Sequence, residues 1–371
     1  MPRPWRDMKG AKIAIIGSRG IPARYGGFET FAERLAQGLA QRGYRVEVYC
    51  KSSLKDLPYE FENIERVFLH CPSLRFAEKL CLSNKGIVKA LFRGNDVLII
   101  LGVSGVPMGI LARVAGRKLI LNPDGLEWKR GKWNFLGRWL LRRLEAWGAK
   151  FSHELVADSQ AIQDYLRETY GRTSTFVPYG VDPPPEDPKA WETLSQRFSL
   201  KEFNYFLAVG RDVPENNLTL IVEGYLRAQC EKKLAIVSDL GKTYENFRGK
   251  ERVIFTGPIY ERNELYALRL HAFAHIHGHS VGGTNPSLLE AMACGNPVIA
   301  YDVVYNREVL GGAGLYFSNA GELAEKMEIL KKEGERIRAK ALDYYRRVLR
   351  EKYNWDVVVE AYARLIEKIF P

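Results

Sequence analysis

The stretch His275-Ile-His-Gly-His-Ser-Val-Gly-Gly-Thr-Asn-Pro-Ser-Leu-Leu-Glu-Ala-Met-Ala-Cys-Gly-Asn-Pro-Val-Ile-Ala-Tyr-Asp302 decides the architecture. The apolar run from Ala272 to Ile276 leads into it and reads as a short strand. Gly278, Gly282 and Gly283 follow, and they let the next loop approach a ligand closely. Thr284 or Asn285 can cap a helix with Pro286 in its first turn. Gly295 ends that helix, Pro297 bars its continuation, and Val298 to Tyr301 forms the next strand. A helix N-terminus behind a glycine loop offers N–H donors and a positive dipole end to phosphate. Glu290 stands one to two turns inside, where it can accept from a sugar hydroxyl. The stretch also fits a purely structural strand-loop-helix unit with Glu290 solvated; a second glycine loop near the N-terminus favours the ligand.

That second loop follows the apolar strand Lys12 to Gly17 and runs from Ser18 to Gly27, ahead of an amphipathic helix from Phe28 to Arg42 and a strand from Arg45 to Cys50. The glycines at 17, 20, 26 and 27 do not match the dinucleotide fingerprint, and no Gly-Lys-Ser/Thr marks a P-loop. Gly26-Gly27 ahead of a helix reads as a phosphate seat or as a structural turn. Further strands are expected at Arg66 to His70, Asp96 to Leu101, Lys118 to Asn122 and Glu154 to Ala157. Ligands gather at the carboxyl ends of such strands, so Asp124 and Glu127 in Asn122-Pro-Asp-Gly-Leu-Glu127 are candidates for polar work. The Pro-rich run Val181 to Pro188 reads as a linker. The α/β pattern then restarts at Tyr205 to Gly210, and Arg211 at that strand end suits bidentate contact with phosphate. The expected domains are 1–182, with the amphipathic helix 355–371 crossing back to it, and 189–354. Both are parallel-sheet α/β domains, with the cleft between them the default binding site.

At 371 residues, 46% of them hydrophobic, the chain can build two cores. A net charge of +11 points to an acidic partner such as nucleic acid, anionic membrane or phosphorylated substrate. The five scattered cysteines give neither a disulfide framework nor a zinc signature, which fits a reducing cytoplasm. Met1 to Gly10 is polar and carries no secretory signal, and no apolar run is long enough to span a bilayer. Trp128 to Trp147 mixes four tryptophans with Lys129, Arg130, Lys132, Arg138, Arg142 and Arg143. This suits an interfacial helix on anionic lipid or a core-packed helix with a solvated basic face. No nucleic-acid fold signature accompanies it, so nucleic acid is not the expected partner.

Three motifs carry a resemblance: Ile21-Pro-Ala-Arg-Tyr-Gly-Gly-Phe-Glu-Thr30, Asn122-Pro-Asp-Gly-Leu-Glu-Trp-Lys-Arg130 and Gly282-Gly-Thr-Asn-Pro-Ser-Leu-Leu-Glu290. Together they resemble family 4 retaining glycosyltransferases of the GT-B fold, in a rhamnosyltransferase-like subgroup of bacterial polysaccharide assembly. No Asp-x-Asp motif is present, so no metal is expected, and the resemblance implies a cofactor-free enzyme, expected in the cytoplasm and peripheral at the membrane. It would move a sugar, with L-rhamnose from TDP-rhamnose as first choice, to a lipid-linked or oligosaccharide acceptor. Gly26 and Gly27 would meet the donor diphosphate, Arg211 would neutralise it, and Glu290 would hold the ribose. Thr284, Asn285, Pro286 and Ser287 would line the diphosphate and sugar site, and Tyr260 would meet the base. Asp124 would face the acceptor, with Glu127 beside it.

Two departures from the family stand out. Gly282 replaces the first Glu of the paired-Glu motif, leaving His279 and Ser280 as nearby substitutes, though a lone loop His is more often structural. Asn216 stands where a Lys often follows the phosphate Arg. The rival expectations are a UDP- or GDP-hexose donor, a GT-B epimerase or phosphorylase, and a non-catalytic nucleotide-sugar or nucleic-acid binding module.

Overall fold

The computed structural model describes residues 10–23, 26–72 and 75–370. The segment read for a secretory signal falls almost wholly outside them, as do Arg24 and Tyr25 of the first glycine loop. The chain divides into two compact units, Met1–Gly180 with Trp355–Pro371, and Val181–Asn354.

The first unit runs β1 (Lys12–Ile16), α1 (Gly27–Gln41), β2 (Arg45–Lys51), β3 (Ile64–Leu69), α2 (Arg75–Phe92), β4 (Val97–Leu101), α3 (Val106–Val114), β5 (Lys118–Asn122), α4 (Phe135–Phe151), β6 (Glu154–Ala157), α5 (Gln160–Tyr170) and β7 (Thr175–Phe176). The second unit continues with α6 (Pro188–Phe198), β8 (Tyr205–Val209), α7 (Leu218–Arg227), β9 (Lys233–Val237), α8 (Lys242–Phe247), β10 (Val253–Phe255), α9 (Arg262–Leu270) and β11 (Ala274–His277). It closes with α10 (Pro286–Ala293), β12 (Val298–Tyr301), α11 (Val304–Leu310), β13 (Leu315–Phe317) and α12 (Ala320–Glu351). The last helix, α13 (Trp355–Ile369), belongs to the first unit.

Both sheets are parallel, in the orders β3-β2-β1-β4-β5-β6-β7 and β10-β9-β8-β11-β12-β13. Strands covered by helices on both faces must be apolar throughout, and β4 (Val-Leu-Ile-Ile-Leu) is buried at every position. The expected amphipathic face of α13 is realised: Val358, Tyr362, Leu365 and Ile369 are all buried. It packs on α1, with the Tyr362 and Phe31 rings 5.6 Å apart. A Cβ on Gly38 would lie 2.4 Å from Val359, so this crossing needs a glycine.

The strand order reverses between β1 and β4 in one sheet and between β8 and β11 in the other. At such switch points the outgoing loops diverge and leave a crevice at the carboxyl ends. A glycine stands at each. A Cβ on Gly17, after β1, would sit 2.1 Å from the Leu101 carbonyl oxygen. One on Gly278, after β11, would sit 2.0 Å from that of Asn216.

The structure corrects two expectations. Cys71 and Cys81 form a disulfide, where none was expected. The pair joins the end of β3 to α2 across ten residues, a proximity created by the β-α turn and invisible in spacing. The Trp128 to Trp147 stretch is not one helix: Glu127–Lys129 forms a separate short turn, and α4 starts at Phe135 with Asn134 as its cap.

Candidate active site

In the second unit the loops after β8 and β11 are tied together side by side. Asn216 donates through Nδ2 to the Arg211 carbonyl at 2.8 Å, and its Oδ1 lies 3.0 Å from His279 Nδ1. Asn217 donates to the Gly278 carbonyl at 2.8 Å. Ser280 donates to the Glu215 carbonyl from both its amide (2.9 Å) and its hydroxyl (3.0 Å). Asn306 anchors the His279 carbonyl at 2.9 Å. Asn216 and His279 therefore brace the crevice from within.

Arg211 stands at its mouth, exposed, and its guanidinium forms no ion pair among the described residues. The acid beside it is committed elsewhere: Asp212 accepts from the Thr243 amide and hydroxyl, each at 2.7 Å. An unbalanced, strand-end arginine is thus left to meet an anion.

Asn285 caps α10, its Oδ1 accepting from the Ser287 amide at 2.9 Å. Pro286 has no N–H, and the Leu288 and Leu289 amides both turn back to the Asn285 carbonyl. The α10 terminus therefore offers an anion its dipole rather than a row of vacant amides. Direct donation falls to the loop before it, where Gly282 adopts φ +132, open to glycine and strained for other residues. Thr284 is buried in that loop.

Glu290, on α10, faces a residue the sequence reading missed. Arg269 of α9 is 0% exposed, and its Nη2 donates to Ser287 Oγ at 3.1 Å and lies 2.7 Å from Glu290 Oε2. An arginine in an amphipathic helix reads as surface, and no local signal marks this one as internal. Behind it, His275 and His277 are buried and neutral, burial pushing the His275 imidazole down to about 3 with Arg269 adding to the effect. Tyr260, after β10, presents an exposed ring.

In the first unit Gly26 adopts φ +118 at the N-cap of α1. A Cβ there would lie 2.2 Å from the Glu29 carboxylate, which also accepts from the Arg19 amide at 3.1 Å. The chain's own acid thus occupies the anion seat of α1. Asp124, at φ +71 after β5, accepts from the Gly125 amide at 2.9 Å and lies 3.6 Å from Arg130.

Glu127 is 7% exposed and is held by Arg130 (3.0 Å), Lys132 (2.6 Å) and the Trp133 indole N–H (3.3 Å). Burial raises its pKa, but Arg130, Lys79 and Lys132 outweigh this and keep the carboxyl below its ordinary range. Glu127 is therefore an anchored anion that organises the loop. Arg130 and Lys132, read as lipid-facing, are partners of this acid. Lys129 and Arg142 both stack on Trp128, at 5.5 and 4.9 Å.

Residues 10–182 match a domain of unknown function (DUF1972), and residues 204–333 match the family described as glycosyl transferases group 1. No curated protein sequence matches the chain. Among solved structures, the sucrose-phosphate synthase tll1590 from Thermosynechococcus elongatus superposes with a TM-score of 0.82 at 18% identity, over 97% of this chain and 99% of that one. Anabaena Alr3699/HepE, solved in complex with UDP-glucose, gives a TM-score of 0.74 at 16% identity, over 96% and 99%. The catalytic domain of starch synthase IV from Arabidopsis thaliana, bound to ADP and acarbose, gives 0.75 at 12% identity, over 96% and 99%. The chain thus has the GT-B fold, and the match to the group 1 glycosyltransferase family lies within its second unit.

Proposed function

We propose that this protein transfers a sugar from a nucleotide diphosphate donor to a hydroxyl of a glycan or lipid-linked acceptor. The observation that supports it most is Arg211 at the switch point of the second sheet, without an ion pair among the described residues, on a loop tied through Asn216 and His279 to the loop after β11. Arg211 would take the diphosphate bidentately as charge develops on it, assisted by the amides of residues 282–284 and the α10 dipole. Glu290 has one oxygen on Arg269 and leaves the other for ribose hydroxyls, and the exposed Tyr260 ring would stack on the base. In the first unit, Asp124 is the acceptor-side group, and the Gly26-Gly27 turn would serve the diphosphate only if Glu29 swings aside.

The reaction would be retaining. The anomeric C–O bond to the diphosphate breaks as the acceptor oxygen attacks from the same face, and the acceptor's proton passes to the leaving phosphate. Arginine and loop amides carry the neutralisation, so magnesium is not required on this reading. L-rhamnose on TDP is the first-choice donor and rests on the subgroup motifs. A UDP-hexose is the second, favoured by the UDP-glucose bound to Alr3699/HepE. The acceptor would be presented at an anionic membrane surface.

A thermal-shift panel of TDP, UDP and GDP, with EDTA and then with magnesium, tests this. Saturation by the matching diphosphate at about 100 times Kd stabilises by about 2.7 kcal/mol. A shift with one diphosphate that is lost in Glu290→Ala supports the reading. No shift with any of them, or a shift with single-stranded DNA instead, overturns it.

A further inference from the structure

We propose that the outer face of α4 is a docking surface for an anionic lipid bilayer. The helix has two apolar faces. The inner one, Leu141, Leu144, Gly148 and Ala149, is buried in the first unit. The outer one holds Phe135 (85% exposed), Leu136 (66%), Trp139, Leu140 and Trp147, all exposed. At 100° per residue these five fall within an arc of roughly 140°. An apolar stripe on the solvent side of an already packed helix lacks the covering that such a stripe requires.

The charges on the same face identify the cover. Arg143 and Lys150, which fall within the same arc, are exposed, and neither forms an ion pair among the described residues. The Arg143 guanidinium sits 5.6 Å over the Trp139 ring, an indole and a cation at one level, as at a lipid headgroup boundary. The one acid of the helix, Glu145, is buried and bound by the Tyr165 and Tyr170 hydroxyls at 2.6 and 2.7 Å. The exposed face is therefore apolar and cationic with no carboxylate. A twofold contact between two copies would set the same cations against each other uncompensated. An anionic bilayer satisfies both components.

This deepens the reading above, in which the acceptor is held at a membrane. Trp139, Arg143 and Trp147 belong to the basic stretch read from the sequence, whereas that stretch's Arg130 and Lys132 serve Glu127.

The test is co-sedimentation of the full chain with phosphatidylcholine vesicles, with and without phosphatidylglycerol, with nucleoside diphosphate binding measured in parallel. Wild type should pellet only with the anionic vesicles. Arg143→Gln with Lys150→Gln should weaken partitioning about thirtyfold, from two surface cations. Trp139→Ser with Leu140→Ser should weaken it at least about tenfold. Both variants should keep the wild-type melting temperature and nucleotide binding, since these side chains lie outside the fold's core. Absence of wild-type binding, or binding indifferent to both variants, overturns the proposal. So does a wild-type dimer on gel filtration that Trp139→Ser dissociates, which would make a second copy the cover. Loss of nucleotide binding in wild type would instead count against the catalytic reading alone.

Discussion

Arg269 Nη2 lies 2.7 Å from Glu290 Oε2, the arginine fully buried and the carboxylate 29% exposed. Taking a guanidinium out of water costs several kcal/mol, and here Nε and Nη1 find no hydrogen-bond partner. Glu290 is thus both the arginine's counter-charge and the proposed ribose acceptor. Removing the acid alone strands a buried cation, so Glu290→Ala should destabilise by roughly 3 kcal/mol and abolish nucleotide binding. Arg269→Met removes the charge with its environment intact. It should be near neutral in stability yet weaken nucleotide binding about tenfold, because the carboxylate loses its fixed rotamer. The double variant should regain stability without regaining binding. Urea unfolding and calorimetric titration read the two effects separately, and a double variant no more stable than Glu290→Ala would refute the coupling.

The two switch-point glycines give a prediction about backbone geometry. Gly17→Ala and Gly278→Ala would each drive a methyl into a backbone carbonyl at about 2 Å, which cannot rotate away. Each should cost roughly 3 kcal/mol or more in unfolding free energy. Gly312, with nothing within 4 Å of its Cβ position, serves as the control, and Gly312→Ala should stay within about 0.5 kcal/mol of wild type. Equal effects at Gly278 and Gly312 would show that the β8 and β11 loops separate without cost.

The apolar runs and glycine loops were legible in sequence because they are local. Continuous hydrophobic strands such as Val97 to Leu101, the capped helix at Pro286 and the amphipathic stripe of Trp355 to Phe370 each carry their own period. What escaped were relations between distant segments. The short edge strands Thr175–Phe176 and Leu315–Phe317 have too few residues for a pattern. The Cys71–Cys81 pair depends on how α2 turns back from β3. At the candidate site Arg211 and Glu290 were visible as types at strand and helix ends. Arg269, 21 positions before Glu290, was hidden because burial of an arginine is decided by tertiary packing. The same gap explains Glu127: Asp-Gly-Leu-Glu reads as a polar turn, and only the fold brings Lys132, Arg130 and the Trp133 indole onto one carboxylate.

Acid stability should report on Glu47. This buried carboxylate meets Lys12 at 2.6 Å, Arg93 at 2.8 Å and the Tyr49 hydroxyl at 2.8 Å. Burial alone would raise its pKa, but these partners reverse the sign and bring it from 4.5 to about 2. A group whose folded pKa is depressed contributes stability above its unfolded pKa and loses it as pH falls toward the folded value. The shift corresponds to about 3 kcal/mol, present at pH 5 and above and lost between roughly pH 4.5 and pH 2. Denaturant melts across that window should show wild type losing more stability than Glu47→Gln. Parallel curves would mean that other carboxylates carry the acid transition.

Arg211 offers the sharpest separation of chemistry from folding. Its side chain is exposed and forms no ion pair among the described residues, so Arg211→Ala should leave unfolding free energy within about 0.5 kcal/mol of wild type. If Arg211 neutralises the leaving diphosphate, the same change should lower kcat a hundred- to a thousandfold, about 3 to 4 kcal/mol of transition-state stabilisation. Arg211→Lys keeps the charge but loses the planar fork, and should recover only part of that loss. The KM for donor should move less than kcat, because charge on the diphosphate grows as the anomeric bond breaks. Steady-state release of the diphosphate, using the donor whose nucleotide stabilises the protein, gives both constants. An Arg211→Ala variant with near-normal turnover would remove this residue from the reaction and return it to the solvated surface.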